Sequence, residues 1–429
     1  MKRNTQLRLL AFLLIFIFYV NEIIAFNTEE ELDEFVYRYM LVYKIPGIEL
    51  AIAKDDEIIY SKGFGKTPEG LEVTADTPMY IASVSKNFTA LAIMQLAEKG
   101  EINLEDVVVD YLPWFKVNHE EISKKIKIKD LLNHRSGLSE KSYYKHLPPD
   151  SSLVFAVKDL SKAKPVAEPG TVFNYFNPNY QILGLIIEEV SGQSYSEYVK
   201  SNILEPLSMN HTFLDKENIE SSVSKGYSSF FGFAVKKKEA FLSYALPEGY
   251  IVSTANDMMK YLMALNYSSN SDYELLSKES LKKIFAPDLM GDSNYSMGWN
   301  IAHSTKGYTV IHSSGDLNTY HCHILMIPEK GYSVVFMANQ NNYIYSTEIY
   351  PSFIKALVDY LVAGDTSPEN MPKMNMYLQI VGLIILIMII EQVISIIKIS
   401  KGNFKLKEWK SNKIIISILV DIIMPVLLL

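Results

Sequence analysis

The sequence predicts an α+β fold, an α/β sandwich in which an antiparallel β-sheet is flanked by helices and carries a helical insertion subdomain. Two observations predict it. Strand-like alternation occurs in two separated blocks, residues 48–64 and 297–338. Helical periodicity fills most of the chain between them. Strands at both ends with helices in the middle suit one sheet assembled from the two ends of a domain. A third observation concerns the flanks. Long apolar runs lie before and after this block, so an N-terminal signal or anchor and C-terminal transmembrane helices are expected around it.

The elements follow in order. Residues 29–43 read as a helix that starts on Glu29, Glu30 and Glu31 and stops at Ile45-Pro46-Gly47. Ile48–Ala53 and Ile58–Phe64 are strands around the turn Lys54-Asp55-Asp56-Glu57, a hairpin pattern. Thr77-Pro78 leads to Ser83-Val84-Ser85-Lys86. Val84, Phe88, Leu91, Ala92 and Leu96 then recur at amphipathic helical spacing up to the stop at Gly100. Ile126–Leu132 begins another helix and runs into Asn133-His134-Arg135-Ser136-Gly137-Leu138. Residues 139–165 are polar and tyrosine-rich, suiting a loop and helix along a cleft. Pro169-Gly170 opens a tight loop before a helix over Tyr180–Ser191, and residues 197–205 are again helical. Residues 215–247 show no clear period. Ser253-Thr254 caps a helix to about Leu265, and Lys278–Phe285 forms another. The period then changes to strands at Met297–Ala302, Thr309–His312, His321–Ile327 and Ser333–Ala338, and Ile344–Leu361 closes the domain as a helix.

Composition narrows the function classes. A net charge of −8 and the lack of a basic, aromatic-interleaved patch over residues 28–370 argue against nucleic-acid binding. The single cysteine, Cys322, excludes an intrachain disulfide and a cysteine-rich metal site. His321 and His323 alternate on one strand. With no third ligand in view they read as a packed or solvated face, so no metal and no cofactor are expected.

The flanks read as membrane segments. Residues 1–26 combine Lys2, Arg3 and Arg8 with the apolar run Leu9–Val20, as in a signal peptide or an uncleaved anchor. The domain is expected over 28–365, with a linker at 366–376. Residues 377–399 are long and apolar enough to span a bilayer. A basic loop, 400–413, carries Lys401, Lys405, Lys407, Lys410 and Lys413, and 414–429 is a second apolar segment. Basic loops stay in the cytoplasm, which places the domain outside. The lipid bilayer is therefore an expected partner, in a multi-pass topology with the domain extracellular.

Separated motifs carry the chemistry. Ser83-Val84-Ser85-Lys86 puts a serine at a helix start with a lysine one turn on. Unpaired N–H groups and the positive end of the helix dipole favour a nucleophile there. Tyr175-Phe176-Asn177 follows Pro169-Gly170. With the segment 128–138, Ser253–Met258 and Tyr295-Ser296-Met297-Gly298-Trp299, these make the chain resemble the serine β-lactamase and penicillin-binding-protein superfamily over residues 30–365. It looks closest to the class C β-lactamase-like branch, which includes D,D-carboxypeptidases, esterases and D-aminopeptidases.

The resemblance implies that Ser83 forms an acyl-enzyme, that Lys86 organises proton transfer and that Tyr175 acts as base and then acid. Tyrosine is ordinarily protonated at neutral pH, and a positive charge beside it favours the phenolate. Asn177 would hold the substrate amide or orient Lys86. The family's Lys-Thr-Gly or His-x-Gly strand motif falls on His312-Ser313-Ser314-Gly315-Asp316. Spacing to Tyr320 puts Ser313 where the family has its cation, whereas aligning His312 loses the glycine. Either a bulge restores His312 or the site lacks that charge. Gly315 would admit substrate close to the strand, and the Asp316 and Ser83 N–H groups would form the oxyanion hole. The expected function is an extracytoplasmic serine hydrolase acting on D-alanyl amides or esters, or β-lactam-like substrates, of the cell envelope. The alternatives are a non-catalytic penicillin-binding-like sensor or binding module, and an esterase without peptidase activity.

Overall fold

In the computed structural model the described residues are 29–363, apart from 144–146, 231–232, 267–274 and 287–292. The expected signal or anchor, linker, basic loop and C-terminal apolar segments lie outside the described residues. Among the described residues, no helix is long and apolar enough to cross a membrane.

The two strand blocks form one sheet. The N-terminal block gives β1 (Gly47–Lys54) and β2 (Glu57–Gly65). The C-terminal block gives β3 (Tyr295–Ser296), β4 (Trp299–His303), β5 (Thr309–Asp316), β6 (His321–Ile327) and β7 (Tyr332–Ala338). The order is β2-β1-β7-β6-β5-β4-β3, and neighbouring strands pair antiparallel. The join is β1 to β7, from Ile48 opposite Ala338 to Lys54 opposite Tyr332. Both strands are almost wholly buried, which matches their near-continuous apolar text.

Helices cover the sheet. α1 (Glu29–Tyr43) and α7 (Tyr350–Ala363) pack against each other, with the Tyr39 and Phe353 rings 5.0 Å apart. The Tyr345 hydroxyl, just before α7, donates to the Tyr43 carbonyl at the end of α1. Glu31, near the start of α1, influences Tyr360 near the end of α7. The two helices therefore run antiparallel, and the domain begins and ends in the same place.

The nucleophile helix is α2 (Ser85–Glu98). Its spacing suggests an amphipathic helix, yet every residue from Ser85 to Leu96 is buried. A helix buried all round sits at the centre of a domain rather than on its surface. α3 (Ile128–Leu132), α4 (Leu153–Asp159), α5 (Pro178–Ser191) and α6 (Ala255–Leu265) complete the frame around the site. α5 ends on Gly192, in the left-handed conformation that glycine tolerates.

Two local expectations are corrected. Residues 215–247 contain the helix Lys216–Ser222, capped by Asp215, and the strand Gly226–Phe230, which pairs with Gln340–Asn341. β5 does not stop at His312 but continues to Asp316. Its pairing with β6 (His321 opposite Asp316, Cys322 opposite Gly315) overrides the poor strand preference of Ser, Gly and Asp. The closing helix expected from Ile344 is present, wound as a π-helix over Tyr345–Ile349 before it continues as α7 from Tyr350.

Candidate active site

Ser83 stands in a tight turn between a short strand and α2. Met79–Tyr80 pairs with Val252–Ser253, and the Ile81 N–H donates to the Ile251 carbonyl at 3.0 Å. Ala82 then takes φ 48°, a left-handed conformation that costs a non-glycine residue about 1 kcal/mol. This sharp reversal throws the chain toward β5. A Cβ on Gly315 would lie 2.3 Å from the Ile81 carbonyl oxygen and 2.6 Å from the Ser83 nitrogen. Only glycine permits that approach. Ser83 caps neither the turn nor the helix, because no side-chain cap bond is present at either start.

The hydroxyl is held from two sides. The Lys86 ammonium donates to Ser83 Oγ at 3.0 Å, and the Tyr175 hydroxyl donates to the same oxygen at 3.0 Å. Lys86 is only 1% exposed, and it also donates to the Glu248 carbonyl at 2.6 Å. Its Nζ lies 5.1 Å from the centre of the Tyr175 ring. A buried amine beside a serine and a phenol is a short path for moving a proton. Tyr175, 92 residues further along the chain, is therefore brought to the Ser83–Lys86 pair.

Asn177 reaches the same cleft, but its amide donates to Glu140 at 2.9 Å rather than orienting Lys86. The cleft has two lobes, of about 410 and 260 Å3, and Ser83, Asn177 and Asp316 line both.

The expected strand motif divides. Ser313, Ser314 and Asp316 line the cleft, Gly315 packs its backbone against Ile81 and Ser83, and His312 lines neither lobe. His312 stacks instead on His323 of β6, with ring centres 5.3 Å apart. No bulge brings it toward Ser83, since β5 keeps an unbroken register with β6 from Ile311 to Asp316. Ser313 therefore occupies the place where a cation was sought. Its hydroxyl is buried and spent on structure. It donates to the Gly298 carbonyl at 3.0 Å. It also accepts from the Asn87 amide at 2.9 Å once that amide is oriented to receive the Trp299 indole N–H.

Asp316 is tied back by His321 Nδ1 and by the Asn341 amide, each at 2.8 Å. Burial pushes its carboxyl up, but these two partners outweigh burial and hold it below the usual range. His321 and His323 lie buried on a packed face, where His321 stacks on Tyr350.

The smaller lobe adds residues that the motif reading missed. Glu248 accepts from Gln181 at 2.9 Å, and burial pushes its carboxyl up to about 7 against the Lys86 charge and that hydrogen bond. Glu140, Tyr143, Tyr244 and Tyr250 line the lobe with it. The tyrosine-rich stretch 139–165 was the signal for Glu140 and Tyr143. Pro247-Glu248-Gly249, just ahead of Ser253-Thr254, was the signal for Glu248. Lys86 is the only lysine or arginine lining either lobe among the described residues, against Glu140, Glu248 and Asp316.

Comparison with known proteins agrees with this geometry. The chain is 30% identical over 353 residues to "Protein flp" of Staphylococcus aureus (strain MW2), covering 78% of this chain and 67% of that one. It is 26% identical over 369 residues to "Beta-lactamase-like protein 4" of Dictyostelium discoideum, covering 80% and 64%. Among solved structures, the octameric penicillin-binding protein homologue from Pyrococcus abyssi superposes with a TM-score of 0.67 at 31% identity, over 80% of this chain and 78% of that one. FmtA from Staphylococcus aureus gives 0.63 at 25% identity, over 79% and 90%. The model of the family described as Beta-lactamase matches residues 29–349, and the chain belongs to that family.

Proposed function

We propose that the chain is an extracytoplasmic, membrane-anchored serine hydrolase of the class C-like branch, which forms an acyl-enzyme on Ser83. The observation that carries this reading is the convergence of Lys86 and Tyr175 on Ser83 Oγ, each at 3.0 Å. As Ser83 attacks a carbonyl, its proton passes into the Lys86–Tyr175 pair. Tyr175 then returns a proton to the leaving group, and water releases the acyl chain by the reverse path. The N–H groups of Ser83 and Asp316, on chain segments that meet at Gly315, receive the oxyanion. Asn177 holds the substrate amide or ester from the opposite side.

Substrates are D-alanyl esters or amides of the cell envelope. Without a cation at Ser313, substrates with an anionic end, β-lactams included, bind less tightly than at a site that carries one but still acylate Ser83. Anchorage rests on the apolar segments 1–26, 377–399 and 414–429 and the basic loop between the last two. The meeting of both domain ends at α1 and α7 suits a domain tethered at one point.

The test is acylation of the full chain by a fluorescent β-lactam. Labelling is expected in the parent and absent in Ser83→Ala. Absence from the parent, or persistence in Ser83→Ala, would overturn the acyl-enzyme reading. Persistent reversible ligand binding without turnover would mark a sensor. Turnover of esters without D-alanyl amides would mark an esterase.

A further inference from the structure

We infer that His134 is the positioning residue of the site, a neutral imidazole that clamps the backbone on both sides of Tyr175 and so sets its hydroxyl against Ser83. This inference rests on the acyl-enzyme reading above. Tyr175 sits in a loop, and the residue is 38% exposed. Packing around the ring is therefore open on one side, and something must fix its backbone. His134 supplies that restraint twice. Its carbonyl accepts from the Asn174 N–H at 2.8 Å. Its Nδ1 accepts from the Phe176 N–H at 3.2 Å. The residues before and after Tyr175 are thus bonded to one histidine, whose ring also lies 4.2 Å from the Tyr175 ring.

The histidine is itself held in an unfavourable state. Its φ is 53°, left-handed for a residue with a side chain. It is fully buried, and its Nε2 has no hydrogen-bond partner among the described residues. With Nδ1 accepting, the ring proton sits on Nε2, among the rings of Tyr175, Tyr180 and Tyr295. Burial and the Lys86 charge keep the imidazole well below its usual range, so Nδ1 stays free to accept. Protonation there would remove the acceptor and add a second charge beside Lys86.

The test compares three variants of the full chain by stopped-flow acylation with the fluorescent β-lactam. Asparagine places an acceptor near the position of Nδ1 and tolerates positive φ. Glutamine reaches toward Nε2 instead, and leucine offers neither. His134→Leu and His134→Gln are expected to slow the acylation step about 100-fold, the scale of misplaced acid–base groups, with apparent affinity little changed. His134→Asn is expected to recover most of the rate. Equal rates for Asn and Gln, or a parent-like rate in Leu, would overturn the clamp. If Leu does not fold, the Asn–Gln contrast still decides. Labelling of the parent, lost in Ser83→Ala, separates failure of the clamp from failure of the acyl-enzyme reading itself.

Discussion

The two walls of the cleft are built on different principles. The α2 wall converges two donors, Lys86 and Tyr175, on one oxygen and buries the lysine that organises them. The β5 wall ties back two of the polar side chains that line the cleft, Ser313 on Gly298 and Asn87 and Asp316 on His321 and Asn341. What it presents to Ser83 is close backbone at Gly315. The contrast separates two jobs. One wall moves protons, and the other supplies shape and N–H groups. A site divided in this way keeps its reaction type while its far wall is free to lose the cation that would select anionic substrates.

The α2 wall is broken most directly at Tyr175. Tyr175→Phe keeps the ring and removes the hydroxyl that bonds Ser83. Acylation is expected to slow by about 10²–10⁴-fold, the range for a lost acid–base group. Thermal stability should hardly move, because among the described residues the hydroxyl bonds only Ser83. A loss below about tenfold would shift the proton path to Lys86 alone.

The matching test of the β5 wall is Gly315→Ala. The added Cβ meets backbone at 2.3 and 2.6 Å, so strand and turn must part. We expect acylation to fall about 10²–10³-fold, as when an oxyanion donor is displaced. Overpacking of this kind also costs about 1–3 kcal/mol, read as a lower denaturation midpoint. An unchanged rate would mean that the meeting of Ile81, Ser83 and Gly315 plays no part in the chemistry.

The walls also differ in how far the sequence disclosed them. Ser83, Lys86, Tyr175 and Asn177 are legible because local motifs carry them, and the sheet is legible because strand text stands at both ends. The β5 wall is not. His-Ser-Ser-Gly-Asp has poor strand preference, and its register is decided by pairing with β6. Register alone tells whether His312 or Ser313 meets α2, because a shift of one residue reverses the face. Glu248 was hidden for a similar reason. Its importance comes from Lys86 and Gln181, and neither is near it in sequence.

Glu248 joins the two regions and gives a smaller effect that depends on pH. Its carboxyl is raised from 4.5 to about 7. Between those values the folded chain keeps a proton that the unfolded chain releases, so stability falls as pH rises through the window. Glu248→Gln cannot ionise. It should match the parent near pH 4 and exceed it in melting temperature at pH 8, with acylation changed by less than about tenfold. Parallel pH curves for the two proteins would place the carboxyl in water and remove the desolvated acidic lobe.

The smallest effect on rate is expected at Ser313, and it sharpens the comparison most. Ser313→Ala leaves the Asn87 amide and the Gly298 carbonyl each short of a partner inside the core. Unsatisfied buried groups cost about 1–3 kcal/mol, so the denaturation midpoint should fall. Acylation of the folded fraction should stay within about threefold, because the hydroxyl points its bonds into the frame and not toward substrate. A frame residue lowers stability and spares rate, whereas a substrate-binding residue does the reverse. If Ser313→Ala kept its stability and lost its rate, the hydroxyl would be working on substrate in place of the missing cation. The β5 wall would then share in recognition rather than supply backbone and shape alone.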